Sequence, residues 1–213
     1  MANTNLTSAK KAKNDEFYTR LSDIENEIWH YRPHFKGKVV YCNCDDAKES
    51  NFFKCLSMQF EVLGLKKLIC TGYNPNGHGS VLVYEGDKNG NRCVDNEEIV
   101  TKELEGDGDF RSPECVEFLK ESDIVVTNPA FSLFRDFIAL MVKYDKKYLV
   151  LGNINAVTYK EIFPLIKDNK MWLGYSVNKS MEFYLPDHYE KWSRIENGRK
   201  IGKVPGITWF TNL

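Results

Sequence analysis

Apolar and polar positions along this chain alternate with two periods, one typical of strands and one typical of helices. Short apolar runs predict buried strands at 38–42, 65–72, 124–127 and 147–152. Three later strands are predicted at 171–176, 180–185 and 206–213. Apolar residues at helical spacing predict helices at 15–31, 50–64, 112–121, 131–144 and 158–168. Ser50 and Ser112 are the expected N-caps, and Gly64 is the expected helix stop.

This order of elements predicts an α/β fold, because strands that alternate with helices form a mostly parallel sheet with helices on both faces. The closely spaced late strands indicate an antiparallel edge. Residues 74–110 are rich in Gly, Asn and Asp and predict a hairpin-and-loop insertion, with short strands at 81–84 and 92–94. Lysines at 10, 11 and 13 mark residues 1–13 as a flexible basic arm, which leaves 14–213 as one domain.

Composition and charge bear on four questions, namely the number of domains and the binding of nucleic acid, membrane and metal. The 213 residues, of which 42% are hydrophobic, are enough for one full core. The formal net charge of −1 gives no overall basic field, although a local patch can still bind nucleic acid. No apolar stretch has membrane-spanning length and no signal peptide opens the chain, so a cytoplasmic protein without a membrane partner is expected. Cys42 and Cys44 form a C-x-C without a second ligand pair, so no metal site is predicted.

The predicted sheet also predicts where a ligand would bind. In such sheets ligands lie beyond the carboxyl ends of the strands, at the point where the strand order reverses. Three loops are expected there, namely Asn43–Asp46, Thr71–Asn74 and Asn128–Phe131.

The loop Asn128–Phe131, with the sequence Asn-Pro-Ala-Phe, is suited to alkylating an exocyclic aromatic amine such as adenine N6. That nitrogen is a poor nucleophile because its lone pair is delocalised into the ring. The Asn128 side-chain oxygen and the Pro129 carbonyl are two acceptors for its hydrogens, and Phe131 would stack on the base. Alignment with a methyl donor adds a proximity effect, and a duplex base would have to be flipped out. An ordinary turn with Phe131 in the core is the competing interpretation.

Several stretches resemble one family, the DNA adenine-N6 methyltransferases that partner restriction enzymes of the EcoRI type. The stretch SDIVVTNPAFSLFRDF is similar to their catalytic motif, usually written [DNS]-P-P-[YFW], and VVYCNCDD and GDGDFRS are more specific matches. Together with the surrounding segments, the resemblance covers most of residues 13 to 175. It implies S-adenosylmethionine as methyl donor, duplex DNA with a flipped adenine as substrate, and a Rossmann-like methyltransferase sheet whose last strand is antiparallel.

The resemblance also implies roles for individual residues. Asn128, Pro129 and Phe131 match the catalytic motif. The positions that match cofactor-binding motifs are Phe17, Tyr18, Thr19, Asn43, Cys44, Asp45, Asp46, Asp109 and Phe110. Within that set, Asp45 or Asp46 would pair with the ammonium group of the donor, whereas Asp109 and Phe110 would hold its adenine. For these acidic residues, ordinary solvated turns are the alternative.

Three features depart from the family pattern. Residue 130 is Ala where the family has a second Pro, so the Pro129 carbonyl is held less firmly. No acidic residue follows the second strand, and Tyr73 is the candidate there for the cofactor ribose. The chain ends at TWFTNL, where family members continue into a recognition segment. Residues 191–203 are basic and either touch phosphates or form a solvated loop.

Two other functions remain open. One is methylation of a different planar amine, in RNA or a protein side chain. The other is a cofactor- or DNA-binding module that has lost turnover, as Ala130 and the short C-terminus suggest. The DNA target sequence, the oligomeric state and the choice between a restriction partner and an orphan or phage-borne enzyme are not predicted.

Overall fold

The structure is a computed structural model, which describes residues 18–45, 47, 49–185 and 189–213, without the side chains of Cys44 and Asp45. The strands in it are β1 (Tyr18–Thr19), β2 (Val39–Asp45), β3 (Lys67–Gly72), β4 (Ser80–Tyr84), β5 (Ile99–Glu103), β6 (Ile124–Thr127), β7 (Lys147–Asn153), β8 (Trp172–Leu173), β9 (Glu182–Leu185), β10 (Arg194–Glu196), β11 (Arg199–Lys203) and β12 (Ile207–Thr211). The α-helices are α1 (Leu21–Ile28), α2 (Arg32–Phe35), α3 (Asn51–Met58), α4 (Phe60–Leu63), α5 (Pro113–Glu121), α6 (Phe134–Lys143) and α7 (Phe163–Lys167). Short 3₁₀ helices lie at Trp29–Tyr31, Phe131–Leu133 and Ile154–Thr158.

The main sheet has eight strands in the order β5-β4-β3-β2-β6-β7-β12-β8. Strands β3, β2, β6 and β7 are parallel to one another, and β4, β5 and β12 run against their neighbours. The last strand, β12, is therefore antiparallel as predicted, but it lies between β7 and β8 and not at the edge. The chain passes from β2 to β3 on one side and later adds β6 on the other side, so the strand order reverses at β2.

Helices cover both faces of this sheet, which confirms the predicted layers. On one face, α1 and α3 contribute Ile24, Ile28, Phe52 and Leu56 to the core. On the other face, buried side chains of α5 and α6 pack over the same strands, among them Leu119, Phe137, Ile138 and Met141. Both halves of the core are therefore built from the apolar stripes that the helical spacing predicted.

Two helices begin at the predicted serine caps, and a third ends at the predicted glycine. The Ser50 side chain accepts a hydrogen bond from the Phe53 amide at 3.4 Å, and Ser112 accepts one from Cys115 at 3.2 Å. Gly64 ends α4 in the left-handed conformation, with φ of 65°. The helix expected at 158–168 spans only Phe163–Lys167. Pro164 has no backbone N–H to donate, so it is tolerated in the first turn of a helix, and α7 begins just before it.

A second, four-stranded sheet has the order β1-β9-β11-β10, and three of its strands were not predicted. Tyr18 and Thr19 pair with β9, so within the described part the helix predicted at 15–31 begins only at Leu21. Residues 191–203 contain the hairpin of β10 and β11, joined at Asn197 and Gly198, both with positive φ. Asn-Gly in this conformation is the preferred two-residue hairpin turn.

The insertion between β3 and α5 contains the β4–β5 hairpin, but the strand predicted at 92–94 is wrong. The carboxylate of Asp87 accepts hydrogen bonds from the amides of Gly90 and Arg92, both at 2.6 Å. The Asn91 side chain accepts the Cys93 amide at 2.7 Å. These local bonds turn the backbone away from an extended conformation, and the partner strand of β4 starts only at Ile99.

No helix in the described ranges is both long enough and apolar enough to cross a membrane. The same residues contain no cluster of three or more His, Cys, Asp or Glu arranged to hold a metal ion.

Candidate active site

The carboxyl end of β2 carries a β-bulge at the point where the strand order reverses. From Cys42 to Asp45 the strand advances three residues, while β3 advances two, from Cys70 to Gly72. The extra residue is Asn43 or Cys44. Both belong to the loop Asn43–Asp46, which is predicted to bind the methyl donor and is called the donor loop below. Bulges of this kind are common beside active sites because they redirect a side chain.

The side chain of Asn43 is the most unusual polar group at this edge of the sheet. Asn43 is only 1% exposed, and neither Oδ1 nor Nδ2 has a hydrogen-bond partner among the described residues. The hydroxyl of Thr19 is likewise buried without a described partner, while the Thr19 carbonyl accepts a 2.7 Å bond from Asn51 at the start of α3. Buried polar groups are normally paired, so each of these two side chains keeps hydrogen-bonding capacity that a polar ligand could use.

The predicted catalytic residues follow β6 directly. Asn128 is half-buried, Pro129 is buried, and Phe131 is a half-buried ring that packs against the core beneath α1 and α3. The Oδ1 atom of Asn128 is shielded from solvent in this conformation. The last torsion of an asparagine has a broad, roughly two-fold profile, so a half-turn exchanges the positions of Oδ1 and Nδ2.

The loops that contain Asn43 and Asn128 are joined by the side chain of Thr127, which no sequence motif marks. The hydroxyl of Thr127, the last residue of β6, donates a hydrogen bond to the Asn43 carbonyl. Residues Asn43 and Asn128 therefore belong to one edge, joined through Thr127.

The end of β3 and the glycine-rich loop before α5 meet at the same edge. The Asn74 amide donates to the Asp107 carbonyl at 2.7 Å. A β-carbon on Gly72 would lie 2.7 Å from the Ala47 nitrogen, so the loop after β2 also reaches this point. Tyr73 is 39% exposed and lines an open cavity of about 590 Å³ with Asn74, His78 and Lys102.

Asp109 is held by Arg111, a residue that the sequence analysis quoted but gave no role. Oδ1 of Asp109 accepts bonds from the Arg111 amide at 2.8 Å and from its Nε at 2.9 Å, and Oδ2 accepts from Nη2 at 2.6 Å. The guanidinium beside it lowers the pKa of Asp109, which keeps the carboxylate ionised. These bonds use three of about four acceptor positions, so one position remains for a donor such as an adenine amino group.

Phe110 lies mainly inside the protein. It is 5% exposed, its ring packs against Phe137 at a centroid distance of 5.3 Å, and the Arg111 guanidinium lies 5.2 Å from its centre. Phe110 thus anchors the glycine-rich loop before α5 to the core.

The glycine-rich loop gives a matched test of its close packing. Gly108 has φ of 83°, and a β-carbon there would overlap the Gly72 carbonyl oxygen, whereas one on Gly106 would meet no atom within 4 Å. We expect Gly108→Ala to lower the free energy of unfolding by about 1–3 kcal/mol. Gly106→Ala should change it by less than about 0.5 kcal/mol in the same urea titration. Equal effects of the two variants would contradict this packing.

The second sheet lies beside the loop that follows β2. Tyr18 is half-buried and paired with Tyr184, and Arg199 lies over the Tyr184 ring at 5.7 Å. Arg199 also forms a 3.1 Å ion pair with Glu49, just before α3. Two predicted cofactor residues, Phe17 and Asp46, lie outside the described residues, as do the side chains of Cys44 and Asp45.

The family model described as "Adenine-specific methyltransferase EcoRI" matches residues 5–213. The chain is 48% identical over 221 aligned positions to the Type II methyltransferase M.EcoRI of Escherichia coli, and 45% identical over 211 to M.MpnI of Mycoplasma pneumoniae. The chain belongs to this EcoRI methyltransferase family. The predicted family membership is thereby confirmed.

The alignments cover 98% and 96% of this chain. The same chain spans about two thirds of its relatives, 68% of M.EcoRI and 63% of M.MpnI. Among solved structures, a proposed RNA methyltransferase from Pyrococcus horikoshii has a TM-score of 0.42 and 16% identity, covering 94% of this chain and 88% of that one. That likeness is too distant to inform the function of an EcoRI-family methyltransferase.

Proposed function

We propose that this EcoRI-family chain methylates adenine at N6 in duplex DNA, with S-adenosylmethionine as donor. The observation that carries the proposal is the placement of Asn128 and Pro129 at the end of β6, joined through Thr127 to the backbone carbonyl of the buried Asn43 at the end of β2. In parallel sheets this reversal point is where ligands bind, so the site suits a donor beside an acceptor amine.

The donor-binding side of the site fits the residues present. S-adenosylmethionine carries an ammonium, a carboxylate and hydroxyls, and supplies an electrophilic methyl group when bound. The amide of Asn43 and the hydroxyl of Thr19, both buried without described partners, would accept and donate hydrogen bonds to such groups. Asp109 keeps one acceptor position for the adenine of the donor, and Tyr73 is the proposed contact for its ribose.

On the acceptor side, the chain supplies alignment and hydrogen-bond acceptors. The side-chain oxygen of Asn128 and the carbonyl of Pro129 would accept the two N6 hydrogens, which turns the nitrogen lone pair toward the methyl carbon. The nitrogen–methyl bond would form as the sulfonium–methyl bond breaks, which leaves the thioether S-adenosylhomocysteine. The N6 proton would then pass to water, so the site needs no strong base before attack. Phe131 would stack against the flipped base, and the aligned geometry supplies several kcal/mol of the rate enhancement.

The β10–β11 hairpin is the proposed contact with DNA phosphates. Arg194 is engaged by Glu182 at 2.9 Å and by Glu196 at 3.2 Å, and Arg199 by Glu49, so the hairpin is an ordered element and not a plain solvated loop. Lys191 and Lys203 are exposed on the same segment and are suited to phosphate contacts.

The proposal is tested by methyl transfer from labelled S-adenosylmethionine, with duplex DNA, RNA and protein offered as separate acceptors. We expect label in DNA, recovered as N6-methyladenine after digestion to nucleosides. Label in RNA or protein alone would favour the other planar-amine function. Cofactor binding by calorimetry without any transfer would favour the module that has lost turnover.

The conformation at Ala130 would accommodate the second proline of the family motif. Ala130 has φ of −51°, within the range of a proline ring, and its carbonyl accepts the Leu133 amide at 2.8 Å, a bond that proline retains. We expect Ala130→Pro to raise the free energy of unfolding by about 0.4–1 kcal/mol, with a transfer rate equal to or above wild type.

The opposite change, Ala130→Gly, loosens the same turn and should lower both stability and rate. Urea titration and single-turnover transfer measure both variants. A loss of rate in Ala130→Pro would show that the family's second proline does not fit this chain.

A further inference from the structure

The donor loop lies at the carboxyl end of β2, and the loop with Asn128 and Pro129 follows its neighbour β6. The described ladder between these strands pairs Val40 with Ile124 and Tyr41 with Val125. Further along, β2 bulges near Asn43, while Thr127 continues in register with Val150 of β7. The described ladder between β2 and β6 ends at Tyr41 and Val125, so beyond it other contacts set the distance between the donor loop and Asn128.

The side chain of Thr127 makes such a contact. Thr127 is completely buried, and its hydroxyl donates to the Asn43 carbonyl on the neighbouring strand β2. Thr127 is bonded to Asn128, so its position sets where the catalytic amide begins. The acceptor carbonyl belongs to Asn43, whose own buried amide lacks a described partner.

We propose that Thr127 is a positioning residue that sets the distance between the donor loop and the Asn128–Pro129 acceptors. The inference rests on the proposed function, because the distance matters when a methyl group must be transferred in line. Misplacement of reacting groups by about 1 Å can cost on the order of 10²-fold in rate. The hydroxyl contributes this alignment and touches neither the methyl group nor the base.

The test compares three variants. Thr127→Val removes the hydroxyl and keeps the shape, Thr127→Ser keeps the hydroxyl, and Thr211→Val is the matched control. Thr211 is also buried, and its hydroxyl donates to the Tyr148 carbonyl at 2.8 Å and accepts the Leu213 amide at 3.1 Å, near the amino-terminal end of β7. Both Thr127→Val and Thr211→Val remove a buried hydroxyl that donates a hydrogen bond, so a difference between them reports on the position of Thr127.

Hydrogen exchange on the free protein gives a readout that does not depend on turnover. Loss of one buried bond, worth about 1 kcal/mol, should speed exchange at residues 43–45 and at Asn128 about five- to tenfold in Thr127→Val. Thr127→Ser should match wild type, and Thr211→Val should leave both segments unchanged. Exchange in Thr127→Val equal to that in Thr211→Val at these segments would overturn the proposal.

Kinetics supply the second readout. We expect Thr127→Val to lower the single-turnover transfer rate about ten- to a hundredfold, with the KM for S-adenosylmethionine changed less than about threefold. Thr127→Ser should restore the rate, and Thr211→Val should retain it. An unchanged rate in Thr127→Val, while wild type transfers methyl groups, would contradict the inference alone. Absence of transfer by wild type would instead contradict the proposed function, and hydrogen exchange would then decide the role of Thr127.

Discussion

Asn128→Ala is expected to lower the rate of methyl transfer on the order of 10²–10³-fold, the usual cost of removing one preorganised hydrogen-bonding group from a transition state. The affinity for S-adenosylmethionine should change little, since the amide is proposed to contact the acceptor amine and not the donor. Loss of rate with retained binding is the pattern of an interaction made mainly in the transition state. Single-turnover transfer and calorimetry with the donor measure the two quantities.

Asn155→Ala is the control for Asn128→Ala. Asn155 is exposed in the 3₁₀ helix that follows β7, so it lies beyond the carboxyl end of a parallel strand without belonging to the catalytic motif. Its replacement should leave the rate within about twofold of wild type. If Asn128→Ala behaved like Asn155→Ala, Asn128 would not be an acceptor for the amine.

Glu27→Ala is expected to lower the free energy of unfolding by about 2–4 kcal/mol, because it leaves several part-buried donors without their acceptor. Glu27 is fully buried in α1. Its carboxylate accepts the amides of Tyr175 at 2.7 Å and Ser176 at 3.1 Å, and also the Ser176 and Tyr31 hydroxyls. This one side chain therefore joins α1 to the turn that follows β8.

Glu25→Ala is the matched control on the same helix. Glu25 is exposed and forms a single 3.1 Å bond to Gln59, so its loss should cost less than about 0.5 kcal/mol. Denaturant unfolding of both variants gives the comparison. A Glu27→Ala protein as stable as Glu25→Ala would mean that the buried carboxylate contributes no net stability.

Elements whose signals are local in the sequence could be predicted. The strand at Ile124–Thr127 is a short run of buried apolar side chains, and α3 and α5 carry the serine caps that satisfy their first amides. The burial of Glu27 could also have been predicted from the sequence. It lies at helical spacing between Ile24 and Ile28, and all three are buried, so the period places a carboxylate on the core face.

Elements that depend on distant partners could not be predicted. Tyr18 and Thr19 form a strand only because Tyr184 and Phe183, far along the chain, pair with them. The strand β5 is mostly exposed, so its side chains give no apolar period, although β10 and β11 did carry a turn signal in Asn197-Gly198.

The residues of the candidate site also fall into these two groups, those with a local sequence signal and those that depend on distant partners. Motif residues such as Asn128 and Asn43 were predicted because their types and their resemblance to the family are visible in the chain. Thr127 and Arg111 gain their roles from partners that only the folded chain supplies, namely the Asn43 carbonyl and the Asp109 carboxylate. A threonine at the end of a strand carries no signal of such a bond.

The most direct measurement is a crystal structure with a bisubstrate analogue, in which an adenine is linked through N6 to an S-adenosylmethionine-like donor. The account predicts the linked nitrogen within about 2.7–3.2 Å of the Asn128 side-chain oxygen or the Pro129 carbonyl, with the donor portion against the Asn43 amide. An analogue bound with this nitrogen remote from both acceptors, or with the donor away from the end of β2, would contradict it.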